Sequence, residues 1–338
     1  MRYIDCFNHF FPAAIWDKMM ATPGAAADIG ARMRGVPAIY DLDRRKEVCD
    51  MFRGKYDYTQ VISLGMPPLE ALGDAATVEE FAKLGNDGMA DLCEKESDYF
   101  CGWLASLPMN SPNAAKELER AFKNGACGVQ IHTNINGKAL DEKEFRPVFE
   151  VAEKHDKMVF LHPSRGAHDL PDYKSEKKSL YEIWWTFGWP YETSVAMARL
   201  VFGGVLDEHP KLKVLAHHLG AMVPYFEGRV GPGWDQLGNR TTDEDYKTLR
   251  ANMKKSPLQY FKEFYADTAV FGSKAATDCG LAFYGADNAL FASDCPFDPE
   301  KGPGYIRETI AIMEKLDYSK EDMEKICYKN SQKLLGIK

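Results

Sequence analysis

Short apolar runs recur along the chain, and segments with helical periodicity separate them. Residues 157–163 read Lys-Met-Val-Phe-Leu-His-Pro, and four consecutive apolar residues of this kind are typical of a strand buried on both faces. His162 falls at the carboxyl end of this run. Because ligands bind at the carboxyl ends of the strands in parallel α/β proteins, His162 is a candidate functional residue.

Eight runs are predicted to be strands, and they comprise residues 3–7, 59–64, 99–106, 127–132, 157–163, 212–216, 264–267 and 289–294. Helical patterns lie between them, and Pro190 is expected to interrupt any helix before residue 192. Strict alternation of strands and helices predicts an α/β fold, a (β/α)8 TIM barrel. Residues 1–338 are predicted to form a single domain, with an insertion around residues 13–40 that covers the barrel mouth.

Four of the predicted strands end in a side chain that can bind a metal ion. These side chains are His9 after the first strand, His162 on the fifth, His218 on the sixth and Asp294 on the eighth. The carboxyl ends of barrel strands surround one mouth, so we expect the four to meet in space. Imidazoles with a carboxylate suit a divalent ion, best zinc and also manganese or iron. For any one of these residues alone, an ordinary hydrogen-bonded polar residue is the alternative.

Composition excludes several classes of partner. The formal net charge of the 338 residues is -8 and no long basic run is present, so neither nucleic acid nor an anionic membrane is an expected partner. No apolar run approaches the roughly 20 residues of a membrane span. Eight scattered cysteines without a short-spaced framework predict reduced thiols. A soluble cytoplasmic protein is expected.

Longer motifs surround the four strand ends. They are Ile-Asp-Cys-Phe-Asn-His at residues 4–9, Leu-His-Pro at 161–163, His-His-Leu-Gly-Ala-Met-Val-Pro at 217–224 and Phe-Ala-Ser-Asp-Cys-Pro-Phe at 291–297. In these motifs the chain resembles the amidohydrolase superfamily. Within that superfamily it resembles the amidohydrolase 2 branch, which consists of metal-dependent TIM-barrel proteins and includes the aminocarboxymuconate-semialdehyde decarboxylases. Residues 187–193 and 134–137 resemble the hydroxybenzoate decarboxylases of that branch.

The resemblance implies a role for each strand-end residue. His9, His162 and Asp294 would hold one divalent metal ion, and His218, six residues before Pro224, would be the acid/base histidine. Asp294 is a second candidate for the proton donor. Strand alternation then directs His217 away from His218, toward packing or toward support of the substrate site.

Three further residues are candidates for substrate binding. Arg45 lies where the family often has an arginine that binds a carboxylate, and a solvated helix arginine is the alternative. Trp185 or Trp189 would contact a planar substrate, although a tryptophan near a barrel mouth also serves plain packing.

One position departs from the family pattern. The first strand of the family ends in His-x-His or Glu-x-His, and this chain has Phe7-Asn8-His9. Phenylalanine cannot bind a metal ion, so three protein ligands remain. Three ligands with water or substrate still complete a catalytic site.

The sequence therefore predicts a metal-dependent, non-oxidative decarboxylase of a planar hydroxylated aromatic or unsaturated carboxylic acid. A hydrolase or hydratase that uses a metal-bound hydroxide in the same pocket is the first alternative. A catalytically silent barrel that acts as a binding protein is the second, because of Phe7. The resemblance also implies a homo-oligomer.

Overall fold

A computed structural model describes residues 1–22 and 29–338, and its centre is a sheet of eight parallel strands. The strands are β1 Arg2–His9, β2 Asp57–Ser63, β3 Phe100–Ser106, β4 Gly128–His132, β5 Met158–His162, β6 Val214–Ala216, β7 Tyr265–Asp267 and β8 Ala289–Leu290. Each strand pairs with the next along the chain. All five residues of β5 are buried, as its apolar run predicts.

The sheet closes between its first and last strands. Beyond β8 the chain runs on beside β1, where the amide of Cys6 donates to the carbonyl of Phe291 at 3.0 Å and that of His9 donates to Cys295 at 2.8 Å. The predicted (β/α)8 barrel is confirmed.

Helices follow the strands around the outside of the barrel. They are α1 Ala13–Ala21, α2 Ile29–Arg34, α3 Leu42–Arg53, α4 Ala75–Lys95, α5 Ala114–Lys123, α6 Arg146–Lys154, α7 Ile183–Thr186, α8 Gly188–Phe202, α9 Val205–Glu208, α10 Tyr246–Asn252, α11 Pro257–Lys262, α12 Lys274–Tyr284, α13 Pro303–Met313, α14 Lys320–Glu324 and α15 Asn330–Leu335. The prediction that Pro190 interrupts any helix before residue 192 was wrong, because α8 begins at Gly188 and continues through Pro190. Pro190 lies in the first turn of α8, where its missing N–H leaves no helical hydrogen bond unmade.

The hydrophobic core has two parts. Side chains such as Leu104, Phe160 and Leu215 fill the interior of the barrel, and Leu335 of α15 packs against this group. A larger cluster lies between the strands and the surrounding helices. The filled interior leaves the carboxyl end of the barrel as the place for an open cavity.

The segment predicted to cover the mouth has two described parts. In α1, Ile15 and Met19 are fully buried. Ile29 and Arg32 of α2 line the cavity at the barrel mouth. Residues 23–28 lie outside the described residues. The single domain and the covering insertion stay predictions.

Across the described ranges, no helix combines the length and the apolar character that crossing a membrane requires.

Candidate active site

A cavity of about 250 Å³ opens at the carboxyl ends of the strands. Its lining includes three of the four predicted strand-end residues, His162, His218 and Asp294. His9 is fully buried and lies directly behind Asp294. A cavity of this size is slightly smaller than a typical drug-sized pocket, so a small molecule with a single ring suits it.

His9 and Asp294 form the first pair of possible metal donors. The Nε2 atom of His9 lies 3.3 Å from Oδ1 of Asp294 and has no hydrogen-bond partner, while its Nδ1 contacts the hydroxyl of Ser63 at 3.2 Å. Burial, with a smaller contribution from the charge of Arg45, lowers the pKa of His9 to about 3. Burial raises the pKa of Asp294 to about 7. The site therefore holds a neutral imidazole whose free nitrogen faces a carboxyl group.

Two histidines leave Nε2 without a protein partner because their Nδ1 is already hydrogen-bonded. Nδ1 of His162 lies 2.7 Å from the carbonyl of Pro163, and Nδ1 of His218 lies 2.7 Å from the carbonyl of Ala269. A carbonyl only accepts, so each Nδ1 carries the hydrogen. In the neutral ring Nε2 then keeps its lone pair, as metal-binding histidines require. Burial and neighbouring histidines hold the pKa of His162 well below its usual value.

These residues fit a divalent ion by donor type and by two separations. Two imidazoles bound to one ion at roughly 2.1 Å would have ring centres about 5 Å apart, and the rings of His9 and His162 are 5.2 Å apart. The 3.3 Å between His9 and Asp294 is also suitable for two ligands of one ion. Within residues 1–22 and 29–338, however, no three His, Cys, Asp or Glu side chains are already gathered in the arrangement of a metal site.

Phe7 fills the position where the family pattern has another ligand. Its ring stacks on His217, with ring centres 3.4 Å apart, and meets His9 edge-on at 4.7 Å. It is 1% exposed. An apolar ring thus separates His217 from the donors of the predicted metal site.

The structure places His217 among packed side chains and outside the cavity lining, but strand alternation is not the cause. Strand β6 ends at Ala216, and His218 and Leu219 both adopt left-handed backbone conformations, with φ of 57° and 52°. This turn brings both histidines to the same end of the barrel, where His218 lines the cavity and His217 is fully buried beside it. A turn of this kind carries no signal in the hydrophobic pattern.

Asp267 holds that turn, and sequence reasoning missed it. One carboxylate oxygen of Asp267 accepts from the backbone amides of His218 at 3.0 Å and Ala269 at 2.9 Å, and the other makes a short hydrogen bond to Nδ1 of His217. Burial opposes ionisation, but the His217 contact and these hydrogen bonds hold the pKa of Asp267 below its usual value. Its position at the end of β7 could have identified Asp267 as a candidate, as the strand-end positions identified His162 and Asp294.

Sequence reasoning also missed His132, which likewise ends a strand. It ends β4, its ring lies 5.1 Å from that of His162, and its Nε2 is buried without a partner. The recurrence of polar residues at strand ends predicts this position as readily as it predicts His9.

Arg45 does not lie where substrate binding requires it. Its side chain is fully buried, and it donates to Asn8 at 2.6 Å, to Gln60 at 2.9 Å and to the sulfur of Cys295 at 3.2 Å. All of these partners belong to the barrel wall. The arginine that lines the cavity is Arg32.

Both tryptophans that the sequence suggests as substrate contacts lie at the cavity. Trp185 and Trp189 line the cavity with Arg32, and the guanidinium of Arg32 lies 6.0 Å from the ring of Trp185 and 5.4 Å from that of Phe297. The indole N–H of Trp189 donates to the carbonyl of Arg165 at 2.9 Å, which fixes the ring over the cavity. This cavity combines flat apolar walls with one cation, a combination suited to a planar anion.

The amidohydrolase family model matches residues 4–337. The chain therefore belongs to the amidohydrolase family. A gamma-resorcylate decarboxylase from Polaromonas sp. (strain JS666) is 30% identical over 82% of this chain and 83% of its own length. The 2-amino-3-carboxymuconate-6-semialdehyde decarboxylase of Dictyostelium discoideum is 30% identical over 76% of this chain and 67% of its own length.

Solved structures of other proteins also resemble this chain. The dihydroxybenzoic acid decarboxylase from Polaromonas sp. JS666, solved with bound manganese and the inhibitor 2-nitroresorcinol, has a TM-score of 0.77 at 25% identity, and the match covers 99% of this chain and 97% of that one. These relatives confirm the predicted family, the barrel and the assignment to an enzyme family with carboxy-lyase members.

Proposed function

We propose that this member of the amidohydrolase family is a non-oxidative decarboxylase of a planar, hydroxylated aromatic or related unsaturated carboxylic acid. The observation that carries the proposal is the cavity that His162, His218 and Asp294 line together with Trp185, Trp189 and Arg32. The decarboxylase relatives support the reaction class.

One divalent ion is part of the proposal, and His9, His162 and Asp294 are the residues that would hold it. When bound, the ion would supply positive charge for the substrate's carboxylate and a neighbouring hydroxyl oxygen. Nitrogen and oxygen donors make zinc the predicted ion, with iron or manganese as alternatives. The similar structure of the dihydroxybenzoic acid decarboxylase from Polaromonas contains manganese.

The chain's own residues bind and protonate the substrate. The guanidinium of Arg32 pairs with the substrate carboxylate at the cavity wall, and Trp185 and Trp189 confine the ring. Protonated Nε2 of His218 donates its proton to the ring carbon that bears the carboxylate. The bond from that carbon to the carboxylate then breaks, carbon dioxide leaves, and the bonding electron pair restores the aromatic ring. His218 takes up a new proton from solvent.

A substrate panel tests this proposal. Protein purified without chelator and supplemented with zinc or manganese is given gamma-resorcylate, other hydroxybenzoates and muconate-like acids, and carbon dioxide and product mass are measured. One carbon dioxide per substrate without oxidant is expected. A product heavier by one water would instead show the hydrolase or hydratase chemistry, and would overturn the decarboxylase.

Phe7 favours a second candidate, a silent barrel that binds a small acid without turnover, because it removes one family ligand. Elemental analysis of the purified protein distinguishes the two. A stoichiometric transition metal that His162→Ala abolishes supports the enzyme. No metal, with acid binding unchanged in His162→Ala, supports the silent barrel.

We further propose that the protein forms a homo-oligomer. Large apolar side chains are exposed within one segment before and into α8, and they are Leu170, Tyr173, Leu180, Tyr181, Phe187 and Tyr191. Such clustering is typical of a surface that a partner covers. Light scattering after gel filtration tests this, and a monomeric mass at micromolar concentration would contradict it.

We infer a cytoplasmic location from cysteine chemistry. All eight cysteines are free thiols, and five of them are buried. Reduced thiols persist in the cytosol. Fractionation of cells that express the full chain tests this inference.

A further inference from the structure

A second, much smaller cavity of about 10 Å³ lies behind the site, beside the carboxyl ends of β2, β3 and β4. Its lining includes Glu70, Gln130 and His132. Each is at least nine-tenths buried, and each has one buried polar atom without a partner: Oε2 of Glu70, Oε1 of Gln130 and Nε2 of His132. Nearly all buried polar groups in proteins are hydrogen-bonded, so three such atoms at one cavity indicate an occupant.

The remaining polar atoms of Glu70 and Gln130 are already committed to the protein. Oε1 of Glu70 accepts from the amide of Met109 at 3.1 Å. Nε2 of Gln130 donates to the carbonyl of Leu64 at 2.6 Å. These contacts fix both side chains and fix the orientation of the Gln130 amide. The unpaired atoms therefore remain for an occupant of the cavity that these residues line.

We propose that Glu70, Gln130 and His132 bind one internal water molecule, which hydrogen-bonds the carboxyl group of Glu70 to the imidazole of His132. A single water requires a polar cavity of roughly 10–15 Å³ and typically makes about three hydrogen bonds. The cavity volume and the three unpaired atoms meet both requirements.

The hydrogens balance when Glu70 is a neutral acid. Oε2 then donates to the water, whose two hydrogens go to Oε1 of Gln130 and to Nε2 of His132. Burial raises the pKa of Glu70 to about 7, in agreement with this arrangement. Among the residues that line this cavity, His132 is the one other titratable side chain.

The water site adjoins the proposed metal donors without belonging to them. The ring of His132 lies 5.1 Å from that of His162. Gly65 also lines the small cavity, and a Cβ there would lie 3.2 Å from Cγ of His9. The water thus fixes the ring that packs against His162, and His132 acts as a positioning residue.

A crystal structure at high resolution, with a second crystal soaked in thallium(I), tests the site. We expect one density peak within hydrogen-bond distance of all three atoms and no anomalous signal from thallium. An empty cavity, or a thallium peak with five or six oxygen and nitrogen neighbours, would overturn the proposal, the latter in favour of a monovalent cation.

Infrared difference spectra between pH 5 and pH 9 give a test in solution. Asp294 also contributes to the band of protonated buried carboxyl groups in this range. We expect Glu70→Gln to remove one component of that band and the exposed-site control Glu94→Gln to retain it. Crystals of Glu70→Gln should keep the water, since the amide N–H₂ can donate to it, while Glu70→Met should lose it. A band unchanged in Glu70→Gln would contradict the neutral acid and with it the proposed hydrogen bonds.

Discussion

The polar residues at the barrel mouth fall into two groups that differ in what their side chains contact. The front group lines the large cavity and consists of Arg32, His162, His218 and Asp294. The rear group does not reach that cavity and consists of Arg45, Glu70, His132, His217 and Asp267. His9 lies between them, buried but facing Asp294.

The difference lies in where the functional atoms point. In the front group, Nε2 of His162 and His218 is left free by a backbone carbonyl that holds Nδ1. In the rear group, Arg45 and Asp267 direct their polar atoms to other protein groups. We therefore expect front substitutions to change turnover with little change in stability. Rear substitutions should lower stability, and should affect turnover only where a rear residue positions a front one.

The largest expected effect is that of His218→Asn. Loss of the proton donor should lower kcat by about 10²–10⁴-fold, while metal content and thermal stability stay unchanged. Steady-state kinetics with elemental analysis measure both. The matched control is His155→Asn, whose imidazole pairs with Glu119 on the outside of the barrel at 2.8 Å. A variant of His218 with unchanged turnover would remove it from the mechanism.

The next largest effect is on stability and depends on pH. The pKa of Glu70 is raised from 4.5 to about 7 in the fold. The favourable contribution of Glu70 to the free energy of unfolding is complete below pH 4.5 and is lost as pH rises to about 7. Each pKa unit corresponds to about 1.4 kcal/mol, so the loss totals about 3 kcal/mol.

Glu70→Gln removes this titration, so the free energy of unfolding of the variant relative to the parent should rise by that amount between pH 4.5 and 8. Denaturant unfolding at a series of pH values measures the difference. Parallel pH profiles for the two proteins would show that Glu70 is not a buried neutral acid.

A smaller effect is expected from the two arginines. Arg32→Gln should raise KM about 10–100-fold through loss of a charge-assisted contact, with unfolding unchanged because Arg32 is exposed. Arg45→Met should leave KM unchanged and destabilise the fold, since it leaves Asn8 and Gln60 without their partner. The reverse result would restore Arg45 to the substrate site.

The smallest effect is expected from Asp267→Asn. The variant keeps the shape of the side chain but loses the charge that accepts from His217 and from two backbone amides. Unfolding should become easier by about 2 kcal/mol, and kcat should fall more than KM changes, because His218 lies in the turn that Asp267 holds. A changed KM with unchanged kcat would argue against a positioning role.

The same comparison explains what the sequence could predict. Strand ends can be predicted from the sequence because an apolar run followed by a polar residue marks them. His162 and Asp294 were identified as candidates in this way. The fold followed from the alternation of strands and helices. Arg45 was misassigned because position along the chain does not reveal on which side of the barrel wall a helix residue lies.

Two residues of the rear group, His217 and Glu70, were less accessible to sequence reasoning. The orientation of His217 depends on two consecutive residues with left-handed backbone conformations, and the hydrophobic pattern of the sequence does not predict them. Glu70 lies in a short 3₁₀ turn after β2, and its burial follows from contacts with β3 and β4 that are distant in sequence. Long-range packing of this kind is decided by the assembled barrel.

The central claim is that the front group protonates a ring carbon and releases carbon dioxide, and turnover in D₂O tests it most directly. With each acid of the substrate panel, mass spectrometry and NMR should show, for the acid that is turned over, the decarboxylated product with one deuterium at the carbon that lost the carboxylate. A product that retains the carboxylate and gains the elements of water would contradict the account, as would unchanged substrate with metal bound.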